Sequence, residues 1–289
     1  MLLSQFLVSY SLQRELTESS VEQYRIAINC FDLWIGHKAS IEELTDDAVN
    51  QFLIDYGRNR RPHTVTSKRR SLLVLWRAIA DQHEITAPKR IRKIKTSPTP
   101  RDVWSAEDVK QIVLRLRYKT GRLPKIGVRS GDYFAGLVLA AWETGLRLAD
   151  LVNLTRDHLS KPGWFGITMQ KTQLPHWCKL HDQTRHLILG TFDDAPPRAL
   201  CWPDWDARTA KAGYKHLRAE IMQAAEAVGL SASDGPFKKL RRSSVTAVEM
   251  IAAGQGQFHA GHTSAVTTQR WYLSDETRLN RPIPQEIPV

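Results

Sequence analysis

The sequence predicts a mainly α-helical chain of two domains, an N-terminal helical bundle and a C-terminal α+β domain with one small β-hairpin. Three observations carry this. Apolar residues recur at helical spacing through residues 1–86, with no strand candidate among them. A basic, proline-broken stretch interrupts the periodicity near residue 100. Beyond it the helical pattern returns, except in residues 163–190, where two short β-type runs flank a turn. With 289 residues, 42% of them apolar, the chain can bury two cores, which excludes wholesale disorder.

The elements follow in order. The opening Met1-Leu-Leu-Ser-Gln-Phe-Leu-Val-Ser-Tyr10 lacks a basic flank and a long apolar run, so it reads as a first helix and not a signal peptide. Ser20 is placed to cap a helix through Tyr24, Ile28, Phe31 and Trp34, stopped by Gly36. Ser40 and Glu43 have capping-box spacing, ahead of Val49, Phe52, Leu53 and Tyr56 on one face and a stop at Gly57. A third helix starts near Thr64, with Leu72, Leu75, Trp76 and Ile79 inward and Lys68, Arg69 and Arg70 outward. Pro88 and Lys95-Thr-Ser-Pro-Thr-Pro100 then suit a linker. The expected boundaries are 1–86 for the helical domain, 87–103 for the basic linker and 104–289 for the second domain, with a tail at about 273–289. In the second domain, Ser105 opens a helix through Val109, Ile112, Val113 and Leu116, and an apolar helix runs from Tyr133 to about Glu143. Trp164–Met169 and Trp177–Leu180 are the strand candidates, with Lys171–Pro175 as their turn. Helices resume over 208–229 and 238–253.

Charge narrows the partner. Residues 58–101 hold thirteen basic side chains against Asp81 and Glu84, so the chain's whole net charge of +11 sits in that segment. Positive charge so focused attracts a polyanion through counterion release, which favours nucleic acid. A solvated linker would account for Lys89 to Lys95, but not for the basic helix before it. No run reaches the ~20 apolar residues of a membrane helix, and no amphipathic anchor accompanies the charge. Cys30, Cys178 and Cys201 are odd in number and far apart, which argues against a disulfide framework and for a reducing compartment. There is no phosphate-binding Gly-rich loop and no Gly-x-Ser-x-Gly elbow. His259-Ala-Gly-His262 lacks a third ligand, so no metal site is expected.

Three turns concentrate unusual chemistry. Arg147 follows Thr144-Gly145-Leu146 among apolar neighbours, where a buried guanidinium needs a partner, and Asp150 lies one helical turn on. Lys238 precedes Leu240-Arg241-Arg242-Ser243-Ser244. Gly261-His262 precedes Thr267-Thr268-Gln269-Arg270-Trp271-Tyr272. Each alone also reads as ordinary structure: a helix-start ion pair, a basic helix face, a core histidine.

Taken in order, these elements resemble the tyrosine recombinase (phage integrase-like, site-specific recombinase) family over nearly the whole chain. Thr144 to Leu154 resemble the family's first arginine turn, and Gln170-Lys171-Thr172 its hairpin lysine. Lys238 and Arg241 match its His/Lys-x-x-Arg, and Gly261-His262 its Gly-His. The resemblance implies a helical (SAM-like) N-terminal domain that clamps DNA and an α+β catalytic domain. It implies catalytic residues Arg147, Lys171, Lys238, Arg241, His262 and Tyr272, with Asp150 steadying Arg147. Lys68, Arg69, Arg70, Lys89, Arg90, Arg92, Lys93 and Lys95 would contact double-stranded DNA. No cofactor and no metal are implied. The chain would act as a homo-oligomer, a dimer on its site and a tetramer in synapsis, in the cytoplasm at the nucleoid.

Chemistry explains the residue types. Phosphodiester cleavage without a metal needs other cations around the pentacovalent phosphate, and two guanidiniums offer paired donors to its oxygens. Such preorganised donors are worth roughly 3–4 kcal/mol each where water is excluded. By the resemblance, Lys171 protonates the leaving 5′ oxygen, His262 hydrogen-bonds phosphate or helps deprotonate the tyrosine, and Lys238 adds a phosphate contact. The tyrosine stores the bond energy as a 3′-phosphotyrosyl link. The family places that tyrosine nine residues after the Gly-His histidine, a position held here by Trp271, with Tyr272 at ten. Two readings follow: a strand-exchange enzyme whose nucleophile is Tyr272, or a catalytically inactive DNA-binding protein of the same fold, regulatory or architectural.

Overall fold

Thr17, not Ser20, caps the second helix of this computed structural model, because Thr17 is the extended residue whose hydroxyl accepts the Ser20 N–H. The structure describes residues 1–96, 102–123, 126–191, 196, 198–203, 210–232 and 235–262, with backbone alone at 210–214. They fall into two units, Met1–Thr99 and Pro100–Val289.

The first unit is α1 (Leu3–Gln13), α2 (Glu18–Ile35), α3 (Asp46–Gly57) and α4 (Pro62–Gln82). Its core joins Phe6, Phe31, Phe52, Leu72, Trp76 and Ile79, all fully buried. Gly36 ends α2 in the left-handed region, at φ +91°, as its place in the pattern predicts. The Ser40–Glu43 box forms, but it opens only a 3₁₀ turn, Ile41–Glu43; Thr45 caps α3 instead, through the Ala48 N–H. Capping hydroxyls recur every few residues here, and which one wins depends on where the apolar stripe meets the core.

The second unit contains α5 (Ala106–Arg117), α6 (Ser130–Thr144), α7 (Leu148–Leu151), β1 (Trp164–Thr168), β2 (Pro175–Lys179), α8 (Asp182–Gly190), α9 (Ala210–Glu226), α10 (Pro236–Ile251) and α11 (Gly256–His259). Ser105 caps α5 as expected. Helix α6 is the hub: it packs against α5, α8, α9 and α10, and is buried along most of its length. The strands are antiparallel, with Phe165 opposite Cys178 and Ile167 opposite His176. Helix α8 corrects the expectation for 163–190, where the sequence predicts two short strands and a turn and no helix. With only Thr184 and Ile188 buried, its nine residues carry too little apolar pattern to announce a helix. Among the described residues, no helix is long and apolar enough to cross a membrane.

Candidate active site and basic surface

The chain turns sharply between α6 and α7, and the geometry of that turn places Arg147. Gly145 ends α6 at φ +60°, and a Cβ there would lie 2.8 Å from His259 Nε2 and 3.4 Å from Ser244 Oγ. Only glycine allows α6, α10 and α11 to approach so closely. Arg147 follows as the extended residue before α7, a quarter exposed, with Nη1 3.8 Å from Asp150 Oδ2. That buried Nη1 has no hydrogen-bond partner among the described residues. Asp150 is buried, and its Oδ1 accepts the Gln170 N–H at 2.8 Å. One carboxylate thus joins the Arg147 turn to the residue preceding Lys171.

Arg241 rises from the middle of α10 and is buried. Its Nη1 donates to the Gly145 carbonyl, and its Nη2 donates to the Ala260 carbonyl at 2.7 Å and to His262 Nε2 at 3.0 Å. A guanidinium only donates, so the imidazole accepts at Nε2 and its neutral form carries the proton on Nδ1. Burial, then the charges of Arg241, Arg147 and Lys171, push the His262 pKa down to about 4. The first arginine turn, the hairpin lysine, the second arginine and the Gly-His histidine therefore converge on one locus. Lys171 lies exposed in the hairpin turn, which is closed by Met169 N–H to Leu174 and Gln173 N–H to Met169.

Lys238 is placed differently. It lies on the exposed side of α10, while its neighbour Lys239 is buried, bonded to Asp102 and to the Ser231 carbonyl at 2.8 Å, with its ammonium 5.1 Å from the Trp104 ring centre. Tyr272, Trp271 and the tail at 273–289 lie outside the described residues.

Two histidines at the locus, His176 and His259, are not among the expected site residues. His176 is buried on β2, and its ring lies against the α11 backbone at His259 and beside Gly261. Burial first, then Arg241, lower its pKa, and Asp150 opposes the shift. His259 Nε2 lies 2.7 Å from Ser244 Oγ. Since Ser244 donates its proton to the Trp142 carbonyl, His259 is the donor in that pair. Burial, then Arg241 and His176, push His259 down to about 4. The signal for His176 is the inward alternation His176–Cys178–Leu180, which starts one residue ahead of the expected strand at Trp177.

The basic residues of the first unit form a second candidate surface. After α4 the chain passes back across α3 and α4. Asp46 accepts the Lys89 and Arg90 N–H groups at 3.2 and 2.9 Å, and Asn50 both donates to the Arg90 carbonyl (2.9 Å) and accepts the Arg92 N–H (2.8 Å). Ile91 and Ile94 pack on the core, leaving Lys89, Arg90, Arg92, Lys93 and Lys95 exposed. Arg69 is drawn into this arrangement, donating to the Arg92 and Ile91 carbonyls at 2.7 and 3.3 Å, whereas Arg70 stays exposed and Lys68 half-buried.

No protein-family model and no curated protein sequence matches the chain. Solved structures do. A lambda integrase dimer bound to a COC′ core site is similar over 100% of both chains, at 18% identity and a TM-score of 0.70. A lambda integrase tetramer bound to a Holliday junction is similar over 100% of this chain and 80% of its own, at 17% identity and a TM-score of 0.68. XerH site-specific recombinase bound to a palindromic difH substrate, in a post-cleavage complex, is similar over 92% of this chain and 79% of its own, at 18% identity and a TM-score of 0.70. This chain has the fold of the tyrosine recombinases.

Proposed function

We propose that the chain is a site-specific DNA recombinase that cuts and rejoins double-stranded DNA through a 3′-phosphotyrosyl intermediate. The observation that carries this reading is the convergence of Arg147, Arg241, His262 and the Lys171 hairpin. Arg147 Nη1, buried beside Asp150 and without a hydrogen-bond partner among the described residues, is a donor suited to a phosphate oxygen. Arg241 adds a fixed positive charge from behind, where low dielectric strengthens it. A neutral His262 with its proton on Nδ1 suits hydrogen bonding to phosphate better than proton abstraction. Lys171, on an exposed turn, is the group with reach to protonate the leaving 5′ oxygen. Lys238 sits on the outer face of α10, which suits contact with DNA beside the reacting phosphate. The exposed strap cations Lys89, Arg90, Arg92, Lys93 and Lys95, with Lys68 and Arg70, supply the phosphate-tracking surface; Arg69 supports it by holding the strap. The assembly is a dimer on one site and a tetramer when two sites meet, at the nucleoid in the cytoplasm.

A suicide substrate, nicked close to the scissile phosphate so that religation fails, tests the reading. The wild type should be trapped covalently, peptide mapping should place DNA on Tyr272, and Tyr272→Phe should bind without forming an adduct. Trp271 at the family's usual nucleophile spacing supports the second reading, an inactive DNA-binding protein. Tight binding to a defined site with no adduct on any nicked substrate would decide for it.

A further inference from the structure

The hairpin that carries Lys171 is fastened on both sides of its turn. Ahead of the turn, the Gln170 N–H is held by Asp150. Behind it, the buried ring of His176 lies against the α11 backbone at His259. Gly261 closes on the same place: at φ +59°, a Cβ on it would lie 2.6 Å from Met169 Sδ and 3.0 Å from His176 Nδ1. Both shoulders of the hairpin therefore press on the residue immediately before His262. The reaction scheme above leaves His176 without a task. Packing alone would be met by an apolar side chain on this inward row, as at its neighbour Cys178, whereas a buried imidazole is unfavourable unless it is bonded. The polar contact of its ring with the backbone around His259 and Gly261 is what distinguishes it from such a filler.

We propose that His176 is a positioning residue that docks the Lys171 hairpin on the Gly261–His262 turn and thereby sets the reach of Lys171 toward the leaving oxygen. The chemical half of this proposal rests on the recombinase reading; the docking half does not. In the cleavage step, the tyrosine oxygen bonds to phosphorus and its proton passes to water. The P–O5′ bond breaks with its electron pair on O5′, and a proton from the Lys171 ammonium neutralises that oxygen. Replacing O5′ by sulfur removes the need for the last transfer, because a thiolate leaves without a proton.

His176→Leu keeps the burial and removes the polar contact; His176→Val, β-branched and suited to a strand, serves if the leucine variant does not fold. Two measurements are made on the full chain. Hydrogen exchange should be faster at the amides of residues 169–174 with little change in thermal midpoint; unchanged exchange there overturns the docking, whether or not the protein cleaves DNA. Single-turnover cleavage of the oxygen substrate should slow by roughly tenfold to a hundredfold, part of what a general acid contributes, while the 5′-thio substrate is cleaved at close to the wild-type rate. Equal slowing on both substrates, or slowing on neither, overturns the link to Lys171. If the wild type forms no adduct on either substrate, the recombinase reading and the link to Lys171 fail together, and the exchange measurement still decides the docking.

Discussion

Arg241 and His262 share a hydrogen bond, Nη2 to Nε2 at 3.0 Å, in which the imidazole must be the acceptor. The guanidinium beside it makes protonation of His262 doubly unfavourable, by charge and by loss of that acceptor. This one contact ties the second arginine element to the Gly-His turn, and it fixes which form of His262 the site uses at neutral pH.

A pH dependence of stability follows. His259 and His262 titrate near 4 in the folded protein and near 6.5 when unfolded. Between those values the unfolded chain holds more protons, so stability increases with pH across the window and is lost as pH falls from about 6.5 toward 4. The wild-type thermal midpoint should decline between about pH 7 and pH 5, and His259→Asn and His262→Gln should each flatten that decline. Profiles parallel to the wild type in both variants would contradict neutral, buried imidazoles.

The two arginines should separate into different phenotypes. Arg241 supplies donors to the Gly145 and Ala260 carbonyls, and Arg241→Ala leaves buried acceptors unmet at about 1–3 kcal/mol each, lowering the thermal midpoint. Arg147→Ala should fold better than Arg241→Ala, keep duplex affinity within about tenfold and lose cleavage by roughly 10²–10³, because its donor acts mainly in the transition state. Calorimetry paired with the adduct assay distinguishes them. Equal thermal losses would place Arg147 among the structural arginines.

Glycine substitutions offer a sharper comparison. Gly145→Ala and Gly254→Ala both place a side chain at positive φ, a strain of about 1–2 kcal/mol each. At Gly254 nothing lies within 4 Å of the added Cβ, whereas at Gly145 the His259 ring stands at 2.8 Å. Denaturant midpoints should show a distinctly larger loss for Gly145→Ala. Similar losses would mean that α11 yields freely.

The strap across α3 and α4 predicts a salt effect. Neutralising Lys89, Arg90, Arg92 and Lys93 together should leave folding intact, since main-chain groups and Ile91 and Ile94 hold the segment. If each cation meets one phosphate, the slope of log affinity against log salt should fall by about 3–4. An unchanged slope would remove the strap from the DNA interface.

The sequence by itself determined the local elements, because they depend on near neighbours. The inward rows of α3 and α4, the stop at Gly36 and the cap at Ser105 follow from periodicity and backbone preference. The excess charge at 58–101 and the spacing of Arg147, Lys171, Arg241 and His262 were equally legible, since they need only the order of residues. Tertiary structure decided which of several hydroxyls caps a helix, because Thr17 and Thr45 win by the position of the apolar face against the core. It decided that Lys238 faces outward while Lys239 is buried, a 100° rotation that spacing alone cannot assign. It turned Arg69 from a free cation into a brace for the strap. Above all, it brought His176 and His259 to the arginines: their meeting depends on β2, α10 and α11 converging at Gly145 and Gly261, and contacts between residues distant in sequence leave no periodic trace in the chain.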